Sequence, residues 1–193
     1  MKTLLTLFVL LFSSSVVAED ISDFQIEGMS IGDSLLNYMS EEEIKNEIEV
    51  NKERYNNNTS FGEVFISKEF LTYESVNIFV KPNDSNYIIY SVSGAKKYKT
   101  IDLCIKEQNE IATEFSNLFT DVKKTNNSWK SRLDPTGRST VNEVEFIFKS
   151  GDSISIQCID IEEQLSIKQK WWSNTLDIAI DRKEIIDWFI SLN

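Results

Sequence analysis

The residues best placed to do chemistry stand early, where Gly32-Asp33-Ser34-Leu35 sets a serine after a turn glycine and an acid. A serine hydroxyl is a poor nucleophile until a base takes its proton, and the usual base is histidine. The 193-residue chain contains no histidine. That absence removes His-based acid/base chemistry, Cys-His proteases and most catalytic zinc sites at once. A second serine lies in Ser93-Gly94-Ala95-Lys96, with lysine as its prospective base, but the Lys-Thr-Gly that accompanies such a pair does not occur. Gly28-Met29-Ser30-Ile31-Gly32 lacks the lysine of a phosphate loop. What remains is 31 carboxylates. A pair of them suffices for sugar hydrolysis, yet so many acids bring some pair together in any fold. No catalytic residue, metal ligand or cofactor is therefore expected.

The aromatics carry the remaining signal. Trp129 sits among Lys123, Lys124, Lys130 and Arg132, a combination suited to an anionic or sugar-like target. The plainer alternative is a tryptophan pinning a surface loop to the core. Trp171 and Trp172 are adjacent in an expected strand, so their side chains face opposite ways and one of them leaves the core. The candidate binding residues are Trp129, Trp171, Lys130 and Arg132.

Charge and topogenic signals bound the class. The net charge is −11, with 12 acidic and 3 basic residues from Glu19 to Glu63, against 5 basic and 2 acidic from Thr120 to Thr140. Such acidity argues against nucleic acid and anionic membrane surfaces. Lys2, the apolar run Leu4 to Phe12 and the small residues Val16-Val17-Ala18 have the layout of a signal peptide cleaved after Ala18. The run is far short of the roughly 20 residues that span a bilayer, and no later segment is apolar enough to cross one. A periplasmic or secreted location follows, with residues 19–193 as one exported domain. In that setting Cys104 and Cys158, the only cysteines, read as a disulfide.

These groups need positioning elements. Met29 to Tyr38 reads as a turn and short helix capped by Asp33 or Ser30. Ser40-Glu41-Glu42-Glu43 reads as a capping box before a helix with Ile44 and Ile48 on one face. Strands are expected over Phe61 to Ser67, Tyr73 to Lys81 and Tyr87 to Val92, with a break at Ser93-Gly94-Ala95. The clearest helix is Ile101 to Phe119, with Cys104, Ile111, Phe115 and Leu118 on its core face. Thr120 to Thr140 reads as a polar loop. Strands follow over Val141 to Lys149, Ser153 to Ile161 and Trp171 to Asp181, then a closing helix offers Ile185, Phe189 and Leu192. Cys158 shares a face with Ile154 and Ile156, so both cysteines point into one apolar layer, as a bridge requires. Strands do not alternate with helices, so the class is α+β, an antiparallel sheet packed against helices. It fits one domain or two diverged helix-plus-strands repeats, 21–98 and 99–193.

Two resemblances bear on function. Gly32-Asp33-Ser34-Leu35 resembles the signature of the GDSL esterases and lipases, whose serine is the nucleophile. The match covers four residues and lacks the family's histidine, the preceding apolar strand and the Gly-x-Asn-Asp motif. It is rejected. The stretch FQIEGMSIGDSLLNYMSEEEI resembles the opening of small exported α+β domains of the SmpA/OmlA (BamE-like) and β-lactamase-inhibitor-protein types. That likeness implies helices preceding a small antiparallel sheet and a protein or envelope partner, and it carries over no site residue. The expected function is a non-enzymatic, exported binding or accessory protein. The alternative is a carboxylate-dependent hydrolase of envelope or extracellular carbohydrate.

Overall fold

The computed structural model describes residues 21–193 except 56, 57, 67, 120, 133, 169–172 and 193, and leaves out the side chains of 166 and 168. The expected leader, residues 1–18, and both Trp171 and Trp172 lie outside the described residues.

The first helix, α1 (Glu41–Asn51), starts at the expected capping box: Ser40 Oγ accepts from the Glu43 N–H at 3.3 Å, and Glu43 accepts from the Ser40 N–H at 2.8 Å. Three antiparallel strands follow, β1 (Gly62–Ile66), β2 (Ser75–Val80) and β3 (Ile89–Tyr98). A second helix, α2 (Ile101–Leu118), leads into β4 (Lys123–Lys130), β5 (Thr140–Ile147) and β6 (Ser153–Asp160). A short α3 (Glu163–Lys168) precedes β7 (Asn174–Asp181), and α4 (Lys183–Ser191) follows it. The strands form one seven-stranded antiparallel sheet in the order β1-β2-β3-β7-β6-β5-β4. Each helix-led meander thus contributes its last strand to the centre, where β3 pairs with β7.

Both helices lie on one face of the sheet. A Cβ at Gly62 would stand 2.7 Å from Ile48 Cγ1, so the glycine lets α1 seat directly on β1. Under α2, Cys104, Ile111 and Phe115 meet Val144, Phe146, Ile154, Ile156, Cys158, Leu176 and Ile178 in the main core. Cys104 and Cys158 are bonded, with Cα atoms 5.9 Å apart and 54 residues between them. Closing that loop stabilises by roughly 2–4 kcal/mol in the chain-entropy picture. Gln108, buried beside the bridge, donates to the carbonyls of Asn142 and Ile156 at 2.9 and 2.6 Å, so its amide is not stranded in the core.

Several expectations need correction. The segment Met29 to Tyr38 holds a turn and a short 3-10 helix, Leu35–Asn37, but its N-cap position is Ser34 rather than Asp33 or Ser30. Asp33 instead reaches back, accepting from the Ser30 N–H at 3.0 Å, and also accepts from the Tyr38 hydroxyl at 2.8 Å. Ser93-Gly94-Ala95 does not break β3, which runs through it. There Gly94 makes room for the Tyr73 ring, 2.6 Å from where a Cβ would sit. The polar segment after α2 is largely an edge strand, β4, because pairing with β5 satisfies its backbone whatever its side chains are. Leu118 is exposed, and Phe119 turns inward in its place. In α4 the buried residues are Ile185 and Trp188.

Candidate functional site

Strand side chains alternate between faces, so whatever the apolar layer does not use must appear on the other side. In β5 the even positions Val144 and Phe146 go under α2, leaving Glu143 and Glu145 opposite. In β6 the same parity sends out Ser153, Ser155 and Gln157, and in β7 it sends out Asp177 and Asp181. Register lines them up across strands: Glu143 beside Gln157 beside Asp177, Glu145 beside Ser155, and Ser153 beside Asp181 beside Ser91.

Only part of this polar face is covered by described residues. Ile185 and Trp188 of α4 pack on Phe61 and Phe79, with Tyr55 and Phe189 stacked around them. Beyond that aromatic cluster a cleft of about 750 Å³ crosses the sheet. Ile186, Phe189, Ile190, Leu192 and Tyr55 form its apolar wall; Glu145, Ser155, Gln157 and Asp181 lie on its floor. Trp129 and Arg132 close the far side.

The electrostatics of the floor are uneven. Glu63, at the α4 end, is answered by Arg54 at 2.9 Å and the Asn77 amide at 2.8 Å. Glu143 accepts only neutral donors, Gln157 Nε2 at 2.9 Å and Asn127 Nδ2 at 3.1 Å. Among the described residues, no lysine or arginine forms an ion pair with Glu143, Glu145, Asp177 or Asp181. Burial pushes Asp177 up to about 7, with the Asp181 charge adding to it. Asp181 is pushed up to about 6, chiefly by burial; a Ser91 hydrogen bond opposes the rise, and Glu145 and Glu143 add to it. Its Oδ1 is fully buried, with no hydrogen-bond partner among the described residues.

Of the expected binding residues, Trp129 and Arg132 meet at this cleft. Lys130, one step along β4 from Trp129, projects to the opposite face and is not part of it. Trp171 lies outside the described residues. The acids were not singled out from the sequence, although the alternations Glu143-Val144-Glu145-Phe146 and Asp177-Ile178-Ala179-Ile180-Asp181 carry the signal. Their presence on the floor disfavours the anionic target that the lysines suggested.

The serines fare as their chemistry requires. Ser34 Oγ donates to the Asn86 carbonyl at 2.6 Å, and a carbonyl cannot take its proton. Ser93 and Lys96 would be neighbours three apart on a helix. On β3 they face opposite ways, and Lys96 holds Glu107 of α2 with both contacts at 2.9 Å. Among the described residues no group of three or more metal-ligating side chains is assembled, and no helix is long and apolar enough to cross a membrane. Compared with known proteins, the chain matches no family model, no curated protein and no solved structure.

Proposed function

We propose that this chain is a non-enzymatic binding protein, exported with its leader removed, whose ligand surface is the cleft on the polar face of the sheet. The observation that carries the reading is a floor on which Glu143, Glu145 and Asp181 have no basic partner among the described residues, held on strands and flanked by an apolar wall. Like charges gathered on one face cost stability, and features that break a folding rule in this way cluster where a protein meets its ligand. The disulfide supports export, since such bonds persist in oxidising compartments. The BamE-like and inhibitor-type resemblance of the opening stretch makes an envelope or extracellular partner the corresponding expectation.

The test is an amide-resolved NMR titration with fractions of envelope and culture medium. Shifts are expected to cluster at Glu145, Ser155, Asp181 and the Trp129 indole. Shifts confined to the outer surface of α2, or none, would overturn the reading.

One observation favours the carbohydrate hydrolase as a second reading. Asp181, pushed up to about 6, shares the cleft with Glu145, and glycosidases divide acid and base work between two carboxyls. Turnover in a broad glycoside panel that disappears in Asp181→Asn would establish it; a blank panel would remove it.

A further inference from the structure

We propose that the cleft binds an aliphatic di- or polyamine, its ammonium groups on Glu143, Glu145 and Asp181 and its methylenes along Ile186, Phe189 and Leu192. This rests on the reading of the cleft as the ligand surface and adds the chemical class of the ligand.

Hydrogen-bond inventory is the first argument. Ionised carboxylates only accept, whereas an ammonium group only donates, three times over. Asp181 lines the cleft, and its Oδ1 is buried with no donor among the described residues. Buried polar atoms of this kind are rare and ask for a partner. Glu143 and Glu145 have only neutral donors among the described residues, so each retains an unanswered charge.

Spacing is the second. Glu143 and Glu145 are alternate residues of β5, and Asp181 stands two strands away on β7. Alternate residues on a strand are about 7 Å apart and neighbouring strands about 5 Å. Register sets Asp181 level with Ile147, roughly 10 Å across and 7 Å along from Glu145, and charges spread in this way match ammonium groups strung along one extended chain. They do not match one compact ion, and no metal-ligating group of three is assembled among the described residues.

The walls supply the rest. Ile186, Phe189 and Leu192 give a methylene chain an apolar surface, and Trp129, 39% exposed, presents an indole to the terminal cation. The cleft volume of about 750 Å³ falls within the range of small-molecule sites.

The experiment is calorimetric titration of the disulfide-bonded protein with spermine at neutral pH and low salt. Saturable binding at one site per chain is expected. Glu145→Gln and Asp181→Asn should each weaken it about tenfold or more, the scale of losing one charge-assisted contact. Trp129→Ala should weaken it several-fold. Glu110→Gln, which removes a charge from the outer surface of α2, should leave it unchanged, and thermal melts will show that each variant is folded. Absence of saturable binding overturns the proposal. So does equal weakening by Glu110→Gln, which would mean attraction to net charge alone. Pentalysine that binds in the cleft where spermine does not would overturn the polyamine and leave the cleft standing as the ligand surface.

Discussion

The two faces of the sheet are made by the same strands, residue by residue in alternation, yet they follow opposite rules. Under α1 and α2 the side chains are mainly aliphatic and aromatic, the amide N–H groups of a buried glutamine donate to two carbonyls, and a disulfide ties helix to sheet. On the other face, Glu143, Glu145 and Asp181 have no basic partner among the described residues, and one oxygen of Asp181 has no hydrogen-bond partner among them. The main core lies on one face, and the aromatic cluster under α4 covers only part of the other. The uncovered part of that second side is free to carry chemistry that weakens the fold.

Neighbouring residues of β5 give the sharpest way to break that comparison. Phe146→Ala, in the aromatic cluster with Phe115 and Phe119, should cost about 3–5 kcal/mol by chemical denaturation. Glu145→Gln, one residue away on the other face, should leave stability unchanged or raise it. A large loss from the second would mean that the polar face is structural after all. Replacing Cys104 and Cys158 together by serine should lower stability by roughly 2–4 kcal/mol, and wild type in reductant should fall by a similar amount.

Acidity separates the faces next. Asp177 and Asp181 keep protons in the folded state to about 7 and about 6, well above their unfolded values. The folded state therefore binds more protons than the unfolded one in that window, and stability should rise as pH falls from about 8 to about 5. Asp177→Asn should flatten the rise, by on the order of 2 kcal/mol once solvent access is allowed for. Below about pH 4 the trend should reverse, because Asp134 is held well under the usual carboxylate range. Burial would raise it, but hydrogen bonds from Thr136 and Ser139 outweigh that effect. A melting temperature that falls steadily from pH 8 to 5 would contradict this account. The smallest effect belongs to Ser34→Ala, which loses one exposed hydrogen bond to the Asn86 carbonyl, about 1 kcal/mol or less, and should abolish no activity.

The covered face was the legible one. Its signals are local and repeat along the chain: the Ser40–Glu43 box, the i, i+7, i+11 spacing of Cys104, Ile111 and Phe115, and the parity that aligned Cys158 with Ile154 and Ile156. The α+β class and the disulfide followed from them and are what the fold contains. The polar face was harder to read because its site is assembled from β5, β6 and β7, which meet only through long-range register. β4 was missed because an edge strand with exposed side chains has no apolar alternation to announce it. Gly94 read as a break because nothing local reveals the Tyr73 ring stacked on it.

The placement of β7 constrains when the molecule can assemble. It follows the other six strands in sequence but lies fourth in the sheet, and it alone joins the β1-β2-β3 meander to the β6-β5-β4 meander. While a nascent chain is still short of Asn174, β3 and β6 each have an unpaired edge, the kind of template that recruits foreign strands. Both edges close in one step when β7 inserts, after which α4 can dock on Phe61 and Phe79. Such an order makes the arrival of β7 the step that completes the sheet. It also makes the interval before β7 arrives the time when the protein most needs shielding from its own kind.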